Sequence, residues 1–334
     1  MSLALRYPPP LRPGSRIFVT APSSGVPKRL WRRLDLVIEH LGQRGFVVEQ
    51  GHCLRTEHGG SSAPAAERAA ELMTAFLRED LAAVFPPWGG ELAIQLLELL
   101  DWERLSRTTP KWLMGFSDLS TLMLPLLLRS GWSSAHGPNL MDRSKAQSDA
   151  LTTGALGALM EGGEARFDQH SSPLFQKAFE DYADNPEAAF QLTQATRWWT
   201  LQGEDEVRAS GRVLAGCLDT WMHLAGTPYG DVPGFLRSLS GAGLPGDGPG
   251  CLLFLENCEL SPSEVARALC QLRYAGWFEG LNALLLGRTA ASKCPKPHQL
   301  TYEDAVRQSL AQVTFPVLMD VDCGHVPPQM TLIQ

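Results

Sequence analysis

The chain has no run of apolar residues approaching the ~20 that a membrane-spanning helix needs, so no membrane span is expected. None of its seven cysteines (53, 217, 251, 258, 270, 294 and 323) forms a C-x-x-C pair. An odd number at scattered positions argues against a zinc ribbon or a disulfide framework and points to a reduced, cytoplasmic chain. Positive charge is not in excess: 29 Lys and Arg stand against 36 Asp and Glu, a formal charge of −7. That balance argues against a nucleic-acid polymer as partner. The first residues, MSLALRYPPPLRPGSR, lack the apolar core of a signal peptide. There is no internal repeat and no low-complexity tract.

What is present is ordinary for a globular chain. Its 334 residues, 44% hydrophobic and 19% charged, suggest two domains, each long enough to bury a core. The acidity is concentrated: residues 161–210 hold ten Asp and Glu against four Lys and Arg.

Strands and helices alternate from the start. Strands are expected at Arg16–Thr20, Gly45–Gln50, Leu81–Phe85, Trp112–Met114 and Trp132–Ala135, and helices at Lys28–Gln43, Ala65–Arg78 and from Glu91 onward. This spacing argues for a mostly parallel sheet with helices on both faces, whose ligands bind at the carboxyl ends of the strands. The loops APSSG, WGGE, GFSD and HGPN all fall on that edge. Ser23 and Ser24 read as helix-entry loop residues. After a helix at Asp149–Met160, residues 161–210 read as a connector and lid containing the pair Trp198–Trp199. A second, smaller α/β unit follows. Its strands are expected at Gly211–Ala215, Cys251–Leu255, Ala283–Leu286 and Pro316–Met319, and its helices at Cys217–Ala225, Ser263–Tyr274 and Thr301–Ala311. Residues 226–249 read as loop. The boundaries are therefore 1–160, 161–210 and 211–334.

The stretch from Lys111 to Leu128, KWLMGFSDLSTLMLPLLL, organises the chain. A serine at a sharp strand-to-helix corner has an exposed hydroxyl and a pinned backbone, and the next N–H, from Asp118, points out of a helix start. Ser117 is thus a candidate nucleophile. The pattern is G-x-S-D rather than G-x-S-x-G, and Ser117 also reads as a plain N-cap. Glu256 ends an otherwise apolar strand, and His325 follows a glycine after the last strand. A serine nucleophile needs a base, and the base a carboxylate. Glu256 also reads as a salt-bridge residue and His325 as a turn histidine. Two glycines, Gly89 and Gly90, at a strand-to-helix junction let backbone approach a ligand closely.

Six segments in order resemble the serine LD-carboxypeptidases, the family that includes the microcin C immunity peptidase: LRPGSRIFVTAPSSG, WGGELAIQLLELLD, PKWLMGFSDLST, LAGCLDTWMHLAGTPYGDV, LLFLENCELSP and VDCGHVPPQMTL. The resemblance implies an N-terminal flavodoxin-like domain, a C-terminal swivelling α/β domain and an active site in the cleft between them. It makes Ser117 the nucleophile, His325 the base and Glu256 the orienting carboxylate. The oxyanion hole comes from the N–H of Asp118 and of Gly89 or Gly90. It implies no metal or cofactor, a homodimer, and a small peptide substrate: a murein tetrapeptide losing D-alanine or, in the immunity branch, a peptidyl or aminoacyl nucleotide. It leads one to expect a short further tail beyond Gln334. Murein-recycling members carry Arg and Tyr around Gly-Gly where this chain has Trp88 and Glu91, and Gly-Gly-Asn has become Ala215-Gly216-Cys217. Glu91 and Trp88 are expected beside the substrate, Glu91 reading a free amine; the pair Trp198–Trp199 reads first as packing, with stacking of an indole on a base as the second reading. The alternatives from other classes are a non-catalytic relative that binds a peptide or nucleotide in the same cleft, and an unrelated α/β esterase, which the missing G-x-S-x-G disfavours.

Overall fold

The computed structural model describes residues 5–163, 165–177, 179–239, 250–293 and 299–334. Cys294 and residues 240–249 of the expected loop lie outside them.

The N-terminal half opens with β1 (Arg16–Val19), α1 (Trp31–Gln43), β2 (Val47–Gln50), α2 (Ala65–Leu77) and β3 (Leu81–Val84). It continues with α3 (Trp102–Ser106), β4 (Trp112–Gly115), α4 (Ser120–Ser130), β5 (Ala135–His136) and α5 (Ala150–Glu161). The apolar spacing of α1 puts Leu34, Val37 and Leu41 on one buried face. The strands lie in the order β2-β1-β3-β4-β5, all parallel, which is the flavodoxin-like order.

A two-stranded antiparallel piece, β6 (Leu174–Gln176) and β7 (Leu192–Ala195), follows, then β8 (Trp199–Thr200). The second α/β unit runs β9 (Arg212–Cys217), α6 (Leu218–Trp221), α7 (Val232–Leu239), β10 (Cys251–Glu256), α8 (Pro262–Tyr274), β11 (Leu281–Gly287), α9 (Tyr302–Ser309) and β12 (Val317–Val321). Its sheet order is β8-β12-β11-β10-β9, parallel except for β8. Helix α8 begins as its sequence dictates, with a Ser261/Glu264 capping box and Pro262 in the first turn. The last strand, β13 (Leu332–Ile333), leaves this unit and pairs antiparallel with β5 at the edge of the first sheet. One apolar core is continuous across both halves, from Leu113 and Met123 to Trp221, Leu253 and Trp277.

Four local expectations are corrected. No α-helix starts at Glu91: a 3-10 turn spans Ala93–Leu96, and α3 begins at Trp102. The Asp118 carboxylate takes the Ala93 N–H at 2.8 Å, and the Asp101 side chain caps Arg104, so each piece has its own start. The fifth strand is Ala135–His136 rather than 132–135, because the Trp132 N–H still bonds to Leu126 at the end of α4. Helix α6 stops at Trp221, four residues short of the expected end, and the chain turns at once. Residues 232–239 form α7, not loop, since the Asp231 side chain caps the Gly234 N–H and Val232 and Leu236 are buried.

Candidate active site

Ser117 stands at the carboxyl end of β4, where the backbone must turn sharply into α4. Its φ is 64°, one of two positive values at non-glycine residues among those described. That left-handed conformation is strained for serine and aims the hydroxyl away from the sheet. The corner is braced from several sides. Asn139, in the HGPN loop, accepts the Phe116 N–H at 3.1 Å. The Asp118 carboxylate is buried and receives the Ser23 hydroxyl at 2.5 Å, the Ala93 N–H and the Thr121 hydroxyl at 3.0 Å. Burial raises the Asp118 pKa, and these three donors and Arg68 oppose the rise. Ser23 is therefore a support of the corner rather than a helix-entry residue.

The second unit supplies the facing groups. His325 Nε2 is 3.0 Å from Ser117 Oγ, and His325 Nδ1 is 2.7 Å from Glu256 Oε2. The sequence separations are 208 and 69 residues. The Glu256 side chain is fully buried at the end of β10, and His325 keeps 19% exposure at the cleft. Desolvation alone would lower the His325 pKa. The Glu256 charge and hydrogen bonds to Cys258 and Glu256 outweigh it and hold the imidazole well above its ordinary value. Desolvation likewise pushes Glu256 up, but His325, His136 and the Cys217 thiol bring it below the usual range.

The glycine pair meets this corner closely. A Cβ on Gly89 would lie 2.8 Å from the Asp118 nitrogen and from Ser117 Cβ, so only glycine fits. Gly90 has φ 143° and packs against Ser23 and Ser24.

A cavity of about 150 Å³ opens beside Ser117, lined also by Gly90, Glu91, Asp118, Cys217, Asp219, His223, Cys258 and Glu259. Burial, and then the charges of Glu259, Asp118 and Asp219, raise the Glu91 pKa. A larger cavity of about 760 Å³ lies at the amino ends of β1, β3 and β4, the edge of a parallel sheet where ligands do not bind.

Not every expected residue reaches the cleft. Trp88 does not line this cavity; its Nε1 donates to the Ser24 carbonyl at 2.9 Å. Trp199 lies in β8 and donates to Asp320 at 3.0 Å, and Trp198 packs against the face of the second sheet. Neither indole lines the cavity beside Ser117.

Other supports left no mark in the sequence. Arg288, 4% exposed, pairs at 2.7 Å with Asp322, which is 0% exposed, and also donates to the carbonyls of Val326 (3.1 Å) and Pro328 (3.0 Å). It thereby clamps the loop that carries His325. Ser120 donates to the Ser117 carbonyl and accepts from the Cys217 N–H at 3.1 Å, tying the corner to β9. Two groups among the described residues bring metal-type donors within 4.8 Å of one another: His52, Cys53 and Glu71, and Cys217, Glu256 and His325. In the first, Glu71 already accepts from Thr20 and the His52 N–H. In the second, Glu256 is engaged by His325.

A flavodoxin-like unit and a second α/β unit that juxtapose serine, imidazole and carboxylate across a cleft make the arrangement that serine hydrolases use. The LD-carboxypeptidase N-terminal domain matches residues 17–137 and the LD-carboxypeptidase C-terminal domain residues 210–334. The chain belongs to the LD-carboxypeptidase family. A Streptomyces coelicolor protein named as a carboxypeptidase is 28% identical over 333 residues, covering 97% of this chain and 90% of the relative. The fold is shared with the microcin C7 self-immunity protein MccF in complex with aspartyl sulfamoyl adenosine (TM-score 0.75, 21% identity, 100% of this chain and 93% of that one). It is shared too with muramoyltetrapeptide carboxypeptidase from Oxalobacter formigenes (TM-score 0.68, 23% identity, 96% and 92%). Among the described residues, no helix is long and apolar enough to cross a membrane.

Proposed function

We propose that Ser117 is the nucleophile, His325 the general base and Glu256 the carboxylate that orients it. The observation that carries this reading is the hydrogen-bonded line from Ser117 Oγ through His325 to the buried Glu256, with Ser117 held at φ 64°. His325 Nε2 takes the Ser117 proton as Oγ attacks an amide carbonyl carbon. The N–H of Asp118 and that of Gly89 or Gly90 receive the oxyanion, each worth about 3–4 kcal/mol. His325 then gives the proton to the leaving amine, and water hydrolyses the acyl-enzyme with His325 again as base.

The substrate of this reading is a murein tetrapeptide that loses its terminal D-alanine, and Glu91 at the cavity wall receives a substrate amine. The alternative, a peptidyl or aminoacyl nucleotide, draws on the likeness to MccF bound to aspartyl sulfamoyl adenosine. It is weakened by the packing of Trp198 and Trp199 away from the cavity, which removes the expected stacking partner for a base. Residues 161–210 act as connector and lid: Gln176 donates to the Pro327 carbonyl at 2.8 Å near His325, and Asp181 pairs with Arg29 at 3.0 Å. A cytoplasmic homodimer completes the reading, tested by cell fractionation and sedimentation.

The decisive assay gives wild type and Ser117→Ala a murein tetrapeptide, its L-alanine-terminated isomer and an aminoacyl sulfamoyl adenylate, with products read by mass spectrometry. D-alanine release by wild type alone is expected. Cleavage of the adenylate alone moves the protein to the nucleotide reading. Binding without turnover makes it a non-catalytic relative, and equal turnover by both proteins removes Ser117 as nucleophile.

A further inference from the structure

Just after β2 the chain makes a short 3-10 turn, His52–Arg55, that packs against α2. Glu67 and Glu71 lie one turn apart on the same face of that helix. Glu71 is buried and its oxygens are engaged. Oε1 accepts the Thr20 hydroxyl, while Oε2 accepts the His52 N–H at 2.7 Å and pairs with Nδ1 of the His52 ring. A carboxylate at Nδ1 fixes a ring proton there and leaves Nε2 as the free nitrogen of the neutral imidazole. That nitrogen stands 3.4 Å from Cys53 Sγ and 4.0 Å from Glu67 Oε2. His52 and Glu67 are exposed and Cys53 is buried, so a cation arriving from solvent meets the imidazole and the carboxylate first.

A nitrogen and a sulfur bound to one tetrahedral Zn²⁺, at about 2.0 and 2.3 Å, lie about 3.5 Å apart. The gap between His52 Nε2 and Cys53 Sγ already has that length, and the exposed Glu67 carboxylate reaches the same point by a small side-chain rotation. We infer that His52 Nε2, Cys53 Sγ and Glu67 bind a thiophilic divalent cation, Zn²⁺ by the character of the donors, with Glu71 orienting the imidazole from behind. The surrounding charge suits a dication. Arg68 is spent on the carbonyls of Ala63, Pro22 and Leu92, and Arg55 pairs with Asp35. Among the described residues Glu67 has no ion-pair partner other than His52. Burial, and then Glu71 and Glu67, push the Cys53 thiol up to about 12, with Arg68 opposing, so the sulfur is protonated without metal. Binding therefore exchanges the S–H bond for an S–Zn bond and releases that proton to solvent. The ion would tie the turn after β2 to α2, beside the loop that begins at Thr20 and carries Ser23.

The test titrates the full metal-free chain with Co²⁺, whose bond to a thiolate gives an intense charge-transfer absorption in the near ultraviolet. Wild type should show this absorption, and added Zn²⁺ should remove it and raise the Tm. Cys53→Ser should abolish it. Because Cys53 is buried, Glu67→Gln supplies a second reading at an exposed position. It should weaken Co²⁺ binding at least about tenfold, the lower end of what losing even a carboxylate behind a metal ligand costs. Cys217→Ala separates this site from the other donor group, Cys217, Glu256 and His325, and should leave the absorption in place. Four results would overturn the assignment: no absorption in wild type, its survival in a folded Cys53→Ser protein, its loss in Cys217→Ala, or unchanged affinity in Glu67→Gln.

Discussion

Replacing Glu256 by glutamine changes one atom of a side chain with 0% exposure and keeps its shape. An amide oxygen can still accept from His325 Nδ1 at the observed 2.7 Å. What disappears is the charge facing the imidazolium that forms as Ser117 attacks. Two unit charges about 4 Å apart, at an effective dielectric of about 20, interact by about 4 kcal/mol. That corresponds to roughly a thousandfold in rate. Glu256→Gln should therefore lower kcat on the peptide substrate by about that factor, measured on the alkaline plateau where His325 is neutral in both proteins. The pH profile supplies a second, independent reading. Glu256 opposes desolvation and holds the His325 pKa well above 6.5. Without the charge, desolvation prevails and the acid limb moves to lower pH. The stability difference between the two proteins follows from the same linkage. The raised His325 pKa contributes stability fully present below 6.5 and lost as pH rises through the folded value. The depressed Glu256 pKa contributes stability present above 4.5 and lost as pH falls through its folded value. Wild type should thus exceed the variant most between 4.5 and 6.5. A rate loss under about tenfold, or an acid limb that does not move down, would refute the reasoning.

Three further outcomes are expected. Arg288→Met strands the Asp322 charge at 0% exposure and should cost about 3–5 kcal/mol in urea unfolding. Adding Asp322→Asn should recover much of that, and an undiminished loss in the double variant would show that the pair is not the cause. Gly89→Ala places a Cβ 2.8 Å from the Asp118 nitrogen and should lower kcat about a hundredfold with the fold intact; unchanged kcat would place the oxyanion elsewhere. Glu91→Gln should raise KM for amine-bearing substrates only, and an equal rise for N-blocked ones would remove the proposed amine contact.

The sequence by itself determined the pieces. Period-two and period-3.6 patterns marked most strands and helices, and the strand-end positions of Ser117 and Glu256 followed from them, because burial of one face leaves a local signature. It could not separate a nucleophile from an N-cap at Ser117, since both need a serine before a helix. Where it failed, a distant group had overridden local preference. The Asp118 carboxylate took the Ala93 N–H and broke the helix expected at Glu91, and it drew the Ser23 hydroxyl away from the helix-entry role its loop suggests. Only the tertiary structure decided that His325 meets Ser117. The chain leaves β12 in the second sheet and returns as β13 to the first, so the loop between them must cross the cleft. Arg288 and Asp322 clamp that loop from within the second unit. A bond between residues 208 apart depends on where two sheets lie relative to each other, and no local pattern encodes that distance.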